Sequence, residues 1–256
     1  MIINPYIFSA GGGTIIGNVP QTNLSLFLES DFGTTLVSGK VSQWNDKSTN
    51  INNAVQTTDS RRPTYSSSDT VLSGLPSLTF ISGGADSSMS IPNPLSFNLG
   101  TSGFNINIVV YLQGYSLYSV VLQHSDGATW TKGFGILYYN SKLRFFINNY
   151  NNVSNYIELN APALNQKTLI NFSWDKTTMK ASYRQGGVTI SGTKAFSQAY
   201  IQPASTDNVS IMTASGGNTS YDTSGKLGAI VVHSYQLSTQ DQTSVENYLK
   251  SKYGIA

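Results

Sequence analysis

Three glutamates, ten aspartates and two histidines are the groups in this 256-residue chain from which acid–base, nucleophilic or metal chemistry could be built. Glycoside hydrolysis needs two carboxyl groups facing each other across the scissile bond. Glu29, Glu158 and Glu246 lie far apart in sequence, and no two aspartates recur at i, i+2 or i+4 within a strand-like run. A strand bearing paired carboxylates is therefore missing, and the chain is expected not to be an enzyme. A serine-hydrolase relay would have to use His124 or His233. His233 ends an apolar run, as a structural histidine does. His124 precedes Ser125-Asp126 at a strand end, and nothing around it marks a nucleophile elbow. Zinc requires three or four His, Cys or carboxylate ligands, which two scattered histidines and no cysteine do not supply. Calcium takes oxygen ligands from Asp, Asn and carbonyls. Asp46 with Asn52 and Asn53 could provide some, so calcium is the one cofactor these residues suggest. The competing reading is a turn, since Asn and Asp bond their own backbone in loops.

Sugar recognition asks for aromatic faces against C–H surfaces and amides or carboxylates for hydroxyls, in a partly preformed site. The stretch from His124 to Asn152 is rich in both. The candidate ligand-binding residues are His124, Asp126, Trp130, Tyr139, Asn148 and Tyr150. Strand alternation sends one of Tyr138 and Tyr139 to the core and the other outward. Trp44 and Trp174 sit in patterned strand segments and read as structural.

The elements that must position these residues are short strands separated by turn residues. Candidates are 24–28, 75–80, 104–111, 118–123, 134–139, 143–147, 169–174, 179–183, 188–190, 209–212 and 227–232. Phe104, Ile106, Ile108 and Val110 share one face, which predicts a half-buried strand. Asn140-Ser141-Lys142 and Asp175-Lys176-Thr177-Thr178 read as hairpin loops. The spacing predicts a helix over 239–252: Ser238 caps it, Asp241 nearly completes a capping box, Val245 and Leu249 form a stripe, and Gly254 stops it. Strands without interleaved helices predict an all-β, two-sheet antiparallel jelly-roll sandwich with one C-terminal α-helix. Residues 1–22, with Gly11-Gly12-Gly13, Pro5 and Pro20, read as an N-terminal arm or attachment segment ahead of one domain over 23–256.

Charged residues are only 11% of the chain, and the net charge is +2. Arg61-Arg62 is the sole adjacent basic pair, so nucleic acid is not an expected partner. No apolar run reaches 18 residues, so no spanning helix is expected. The opening lacks the basic and apolar regions of a secretory signal.

Several segments, in order, resemble laminin-G-like domains of the concanavalin A-like lectin–glucanase class. They are Leu26-Phe27-Leu28-Glu29-Ser30-Asp31, then Gln43-Trp44-Asn45-Asp46-Lys47-Ser48, Asn52-Asn53-Ala54, Arg62-Pro63 and Gly74-Leu75-Pro76-Ser77-Leu78-Thr79-Phe80. The closing Gly228–His233 run and the segment Val245-Glu246-Asn247-Tyr248-Leu249 to Lys252-Tyr253-Gly254 are similar to that family's last strand and helix. Ser30-Asp31 followed by Phe32-Gly33 departs from its pattern. The resemblance implies a sandwich whose relatives bind glycans or proteins, some with calcium, and recur on phage tails and capsids. Ile3-Asn4-Pro5-Tyr6 also resembles the opening of tailed-phage virion proteins. The expected function is a non-enzymatic virion surface protein, for host or glycan adhesion on a tail or fibre, or for capsid decoration. The expected partners are other virion proteins through the arm, a glycan ligand and further copies of the chain, a trimer among the options. A secreted or cell-surface carbohydrate-binding adhesin is the alternative, and a glycoside hydrolase the third.

Overall fold

A computed structural model describes residues 15–256, apart from 17, 84–85, 93, 95–96, 98, 101, 116, 128 and 215–220. Two antiparallel layers face each other. The back layer runs Val188–Ala195, Thr178–Gln185, Lys167–Trp174, Phe104–Gly114 and Ser224–His233. The far side of Ser224–His233 is shared by Leu24–Glu29 and Leu75–Phe80, the latter paired in turn with Thr64–Asp69. The front layer runs Tyr156–Asn160, Lys142–Ile147, Phe134–Tyr139, Val120–His124, Val209–Ile211, Met89–Ile91, Ala54–Val55, Lys40–Trp44 and Thr34–Val37. One residue pair, Lys40 with Thr64, ties the layers at one side. The expected antiparallel sandwich with a C-terminal helix is what forms.

The layers meet because each strand turns a row of large apolar residues inward. Phe104, Ile106 and Ile108 from the back interdigitate with Phe134, Ile136, Phe145 and Ile147 from the front. Trp44 and Trp174 are buried as expected. Each indole N–H donates to a carbonyl, Glu29 O at 2.7 Å and Phe196 O at 2.9 Å.

The Asn140-Ser141-Lys142 loop is shorter than the sequence suggests. Lys142 pairs with Tyr139, leaving a two-residue turn in which Asn140 and Ser141 have φ of 48° and 59°. That is the turn geometry whose twist matches the flanking strands. It sets the register by which Tyr138 goes to the core and Tyr139 points out.

The helix spans Thr239–Tyr253. Asp241 N–H donates to Ser238 Oγ at 3.1 Å, and Gly254 closes the helix in the left-handed region. Val245, Leu249 and Tyr253 press onto Phe27, Val109, Leu169, Ala229 and Val231 on the outer side of the back layer.

This corrects the reading of 104–111 as half-buried: the strand runs Phe104–Gly114, and its second face, with Asn105, Asn107 and Val109, lies buried beneath the helix. The amides there are linked in a chain of hydrogen bonds, though Asn105 Nδ2 and Gln242 Oε1 find no partner. Asn107 Nδ2 donates to Asn105 Oδ1 at 2.7 Å, while Asn171 Nδ2 and Gln242 Nε2 reach Asn107 Oδ1 at 3.2 and 3.1 Å.

Residues 1–14 of the expected arm lie outside the described residues. Its last residues join the folded unit. Ile15–Ile16 pairs with Val19–Pro20, Val19 is buried with the helix, and His233 Nε2 bonds the Pro20 carbonyl at 2.8 Å. His233 is thus a buried structural histidine, its pKa lowered to about 4 by burial.

Candidate functional site

The helix covers the back layer and leaves the outer side of the front layer open. Strand parity puts Leu137, Tyr139, Arg144, Phe146, Tyr156 and Glu158 on that side, because Leu137 pairs with Arg144, Arg144 with Glu158 and Phe146 with Tyr156. Gly135 supplies the space for Phe146, since a Cβ there would stand 2.2 Å from the ring.

Over this floor the loops deliver more aromatics. Trp130 packs against Val120, Leu137 and Phe146, with Tyr118, Tyr150, Tyr156 and Tyr221 half-buried around them. Trp130 stands 5.0 Å from Tyr150 and 5.2 Å from Tyr221, both edge to face. Tyr118 lies 4.8 Å from Tyr139 and 5.7 Å from Tyr221. The Tyr118 hydroxyl's pKa is raised, first by its bond to Tyr139 and then by burial. The Arg144 guanidinium carbon lies over the rings of Tyr139 and Tyr156, 4.2 and 3.9 Å from their centres. Its Nε and Nη2 donate to Glu158 Oε1 at 2.9 and 2.7 Å.

Further along the same side lies a polar hollow. Register runs laterally from Tyr156 through Phe146, Gly135, Gln123, Ser210 and Ser90 to Val55. At one strand spacing per step, Ser90 lies roughly 19 Å from Phe146. The hollow there, of about 270 Å³, is lined by Gln56, Arg61, Ser88, Ser90, Ser210 and Thr213, among others. Behind it Arg61 Nη2 stands 3.9 Å from the buried Asp222. Burial pushes the Asp222 carboxyl up to about 6, opposed by Thr213 and Arg61. A larger hollow of about 510 Å³ lies elsewhere, beside Trp174 and Tyr200. Trp174 is fully committed to the core there, so that hollow offers no free indole face.

Of the six residues expected to bind a ligand, the structure sets Tyr139 and Tyr150 half-buried on this side, with Trp130 buried among the rings that surround it. The other three are corrected. His124 is buried, its Nε2 bonded to the Asp207 carbonyl at 3.1 Å, and burial lowers its pKa to about 4. Asn148 is buried, its amide tying Ala199 O and Ile201 N to the strand end at 2.9 and 2.8 Å. Asp126 turns its carboxylate into its own loop, accepting from Thr131 N at 2.7 Å and from the Thr129 and Thr131 hydroxyls. Asp126 and Asn148 therefore shape the loops that carry Trp130 and Tyr150. Tyr118, Tyr156, Tyr221, Arg144 and Glu158 were not among the expected residues. Outward parity across the Asn140-Ser141 hairpin is the signal that points to Arg144.

The three residues suggested for calcium are arranged as a turn. Asp46 accepts from Phe27 N and Ser48 N through Oδ1, at 2.8 and 2.9 Å. Its Oδ2 accepts from Ser48 Oγ at 2.5 Å and Asn52 N at 2.9 Å. Asn53 Oδ1 takes the Asp46 N–H at 2.9 Å, and Asn52 Nδ2 donates to Ser25 O at 2.7 Å. Both Asp46 carboxylate oxygens are thus engaged by hydrogen bonds within the turn. Among the described residues no three His, Cys, Asp or Glu side chains group as a metal site.

No protein-family model and no curated protein matches the chain. Solved structures do. The binding domain of botulinum neurotoxin DC, in complex with SialylT, superposes with a TM-score of 0.56 at 11% identity, over 89% of this chain and 52% of that one. It shares their sandwich. An arabinofuranosidase complexed with arabinofuranosyl-alpha-1,2-xylobiose gives 0.62 at 12%, over 84% and 51%. Trypanosoma rangeli sialidase in complex with sialic acid gives 0.55 at 15%, over 90% and 33%. The chain thus spans about half or less of each, and at these identities the likeness is one of fold.

Proposed function

We propose that the chain binds carbohydrate, without cleaving it, on the open side of the front layer. The observation that carries the reading is the convergence there of Tyr118, Tyr139, Tyr150, Tyr156 and Tyr221 around the buried Trp130, with a polar hollow further along the same side. Aromatic faces take the C–H side of a sugar ring, while the hollow's hydroxyls and amides take its hydroxyls. The fold's occurrence in sugar-bound structures supports the same reading. Its non-enzymatic half rests on how the glutamates are spent. Glu158 pairs with Arg144, Glu246 bonds Gln242, and Glu29 is buried under the helix. In a glycan array, Tyr150→Ala is expected to weaken binding about tenfold, a loss of about 1.4 kcal/mol. An equal affinity for that variant would move the site elsewhere.

The finer part of the proposal places the protein on a tailed-phage particle, held through the residues before Val19. The segment resemblances described above, including the Ile3-Asn4-Pro5-Tyr6 opening, support it. A chain starting at Asn18 keeps the Val19–Pro20 contacts and is expected to unfold within a few degrees of the full chain while failing to join particles. A chain starting at Asn23 also loses buried Val19, at a cost of about 1.5–3 kcal/mol. Normal assembly by the chain starting at Asn18 would put attachment on the sandwich itself.

A further inference from the structure

Resting on that reading, we infer that the open side selects uncharged saccharides and rejects sialylated, sulfated or uronate-bearing ones. An anionic sugar needs a cation with donors free to face it, and guanidinium–carboxylate pairing is the strong form of that contact. The arginines here, and the lysine over Tyr156, are already engaged. Arg144 donates through Nε and Nη2 to Glu158, and through Nη1 to the Tyr150 carbonyl at 2.6 Å. Its guanidinium carbon lies over the Tyr139 and Tyr156 rings, and its side chain is only 5% exposed. Among the described residues the other cation lying over these rings is Lys194, above Tyr156. Its ammonium donates to the Val153 and Tyr156 carbonyls. Lys142, at the edge of the layer, donates to Asn160 Oδ1 at 2.6 Å.

In the hollow, Arg61 faces the buried carboxylate of Asp222 and donates through Nε to the Asp86 carbonyl at 3.3 Å. Each arginine on this side is thus matched by a carboxylate, one at the aromatic end and one in the hollow. Glu158 is 29% exposed, so the carboxylate at the aromatic end also repels an approaching anion. With no guanidinium fork left open to an anion, ring faces, hydroxyls and amides dominate the surface a ligand meets, which suits hydroxylated neutral sugars.

The experiment uses the full chain on an array carrying the same glycan cores in neutral, sialylated and sulfated forms. Binding to neutral cores, with each anionic form at least about tenfold weaker, is expected. Glu158→Gln removes the matching charge from Arg144 and is expected to raise binding of the anionic forms severalfold. As a measurement independent of that variant, wild-type affinity should stay within about twofold as salt rises from about 0.05 to 0.5 M, where screening would cut charge-based binding. Anionic forms bound as well as or better than neutral ones, or a steep loss with salt, overturn the inference while leaving sugar binding intact. Binding to no glycan at all overturns the functional reading beneath it.

Discussion

Replacing Glu29 by alanine is expected to destabilise the protein by about 3 kcal/mol, at the lower end of what breaking a buried ion pair costs. Glu29 ends the first strand of the back layer and is fully buried. Its carboxylate accepts from Lys47 Nζ, from Tyr248 OH at 2.6 Å and from Lys252 Nζ at 3.1 Å. Lys252 also reaches Asp31 at 2.8 Å. Two ammonium groups and a phenol thus converge on one acid between helix and sheet. Burial works to lower the Lys252 pKa, but Asp31 and Glu29 outweigh it and the value stands raised. Burial and Glu29 push the Tyr248 hydroxyl up. Without the acid, Lys47 and Lys252 must draw water in or swing out, and the helix loses its polar anchor. Glu29→Gln keeps an acceptor for Tyr248 and should lose less. In a molecule this size the alanine variant should melt roughly 6–12 °C lower. A shift under about 2 °C would show that the helix is held by its apolar stripe alone.

Gly133→Ala is expected to cost at least about 3 kcal/mol, in the range reserved for backbone strain with overpacking. Gly133 has φ of 72°, and a Cβ there would stand 1.8 Å from the His124 carbonyl oxygen and 2.7 Å from Pro203. That carbonyl cannot retreat, because His124 is paired on both sides, with Phe134 and with Val209. Gly187→Ala is the control. Its φ is 80° but nothing lies within 4 Å of its added Cβ, so it should pay only the left-handed backbone term of about 1–2 kcal/mol. Comparable denaturation midpoints for the two variants would mean that the chain around His124 yields.

Elements were legible where several local signals agreed. Ser238, the Val245/Leu249 stripe and Gly254 together define the helix to within a residue. Apolar runs such as Phe134–Tyr139 and Leu75–Phe80 show their own ends. Thr64–Asp69, written Thr-Tyr-Ser-Ser-Ser-Asp, has no such pattern, because it lies near the layer's margin with little to bury. The Asn105/Asn107 face read as solvent-facing because its partners, Asn171 and Gln242, are remote in sequence. The candidate site divides the same way. Trp130, Tyr139 and Tyr150 fall in one aromatic-rich stretch, whereas Tyr118, Tyr156 and Tyr221 join them only through strand pairing and loop return. His124 and Asn148 misled because an amide or imidazole near a strand end reads alike whether it holds a loop or meets a ligand.

The strand Leu24–Glu29 finds its ladder partner in Ala229–His233, about two hundred residues later. Phe104–Gly114 waits for the same strand, Ser224–His233, on one side, and Leu75–Phe80 for its first half. During synthesis, the early two-thirds of the chain therefore leaves the ribosome with its back layer unclosed and Leu26, Phe27 and Leu28 without cover. Such separation raises contact order and slows folding towards the millisecond-to-second range. Open strand edges in that interval invite pairing with neighbouring nascent chains. A fragment ending before residue 224 lacks the strand that pairs with Leu24–Glu29, Leu75–Phe80 and Phe104–Gly114, and so cannot close the back layer.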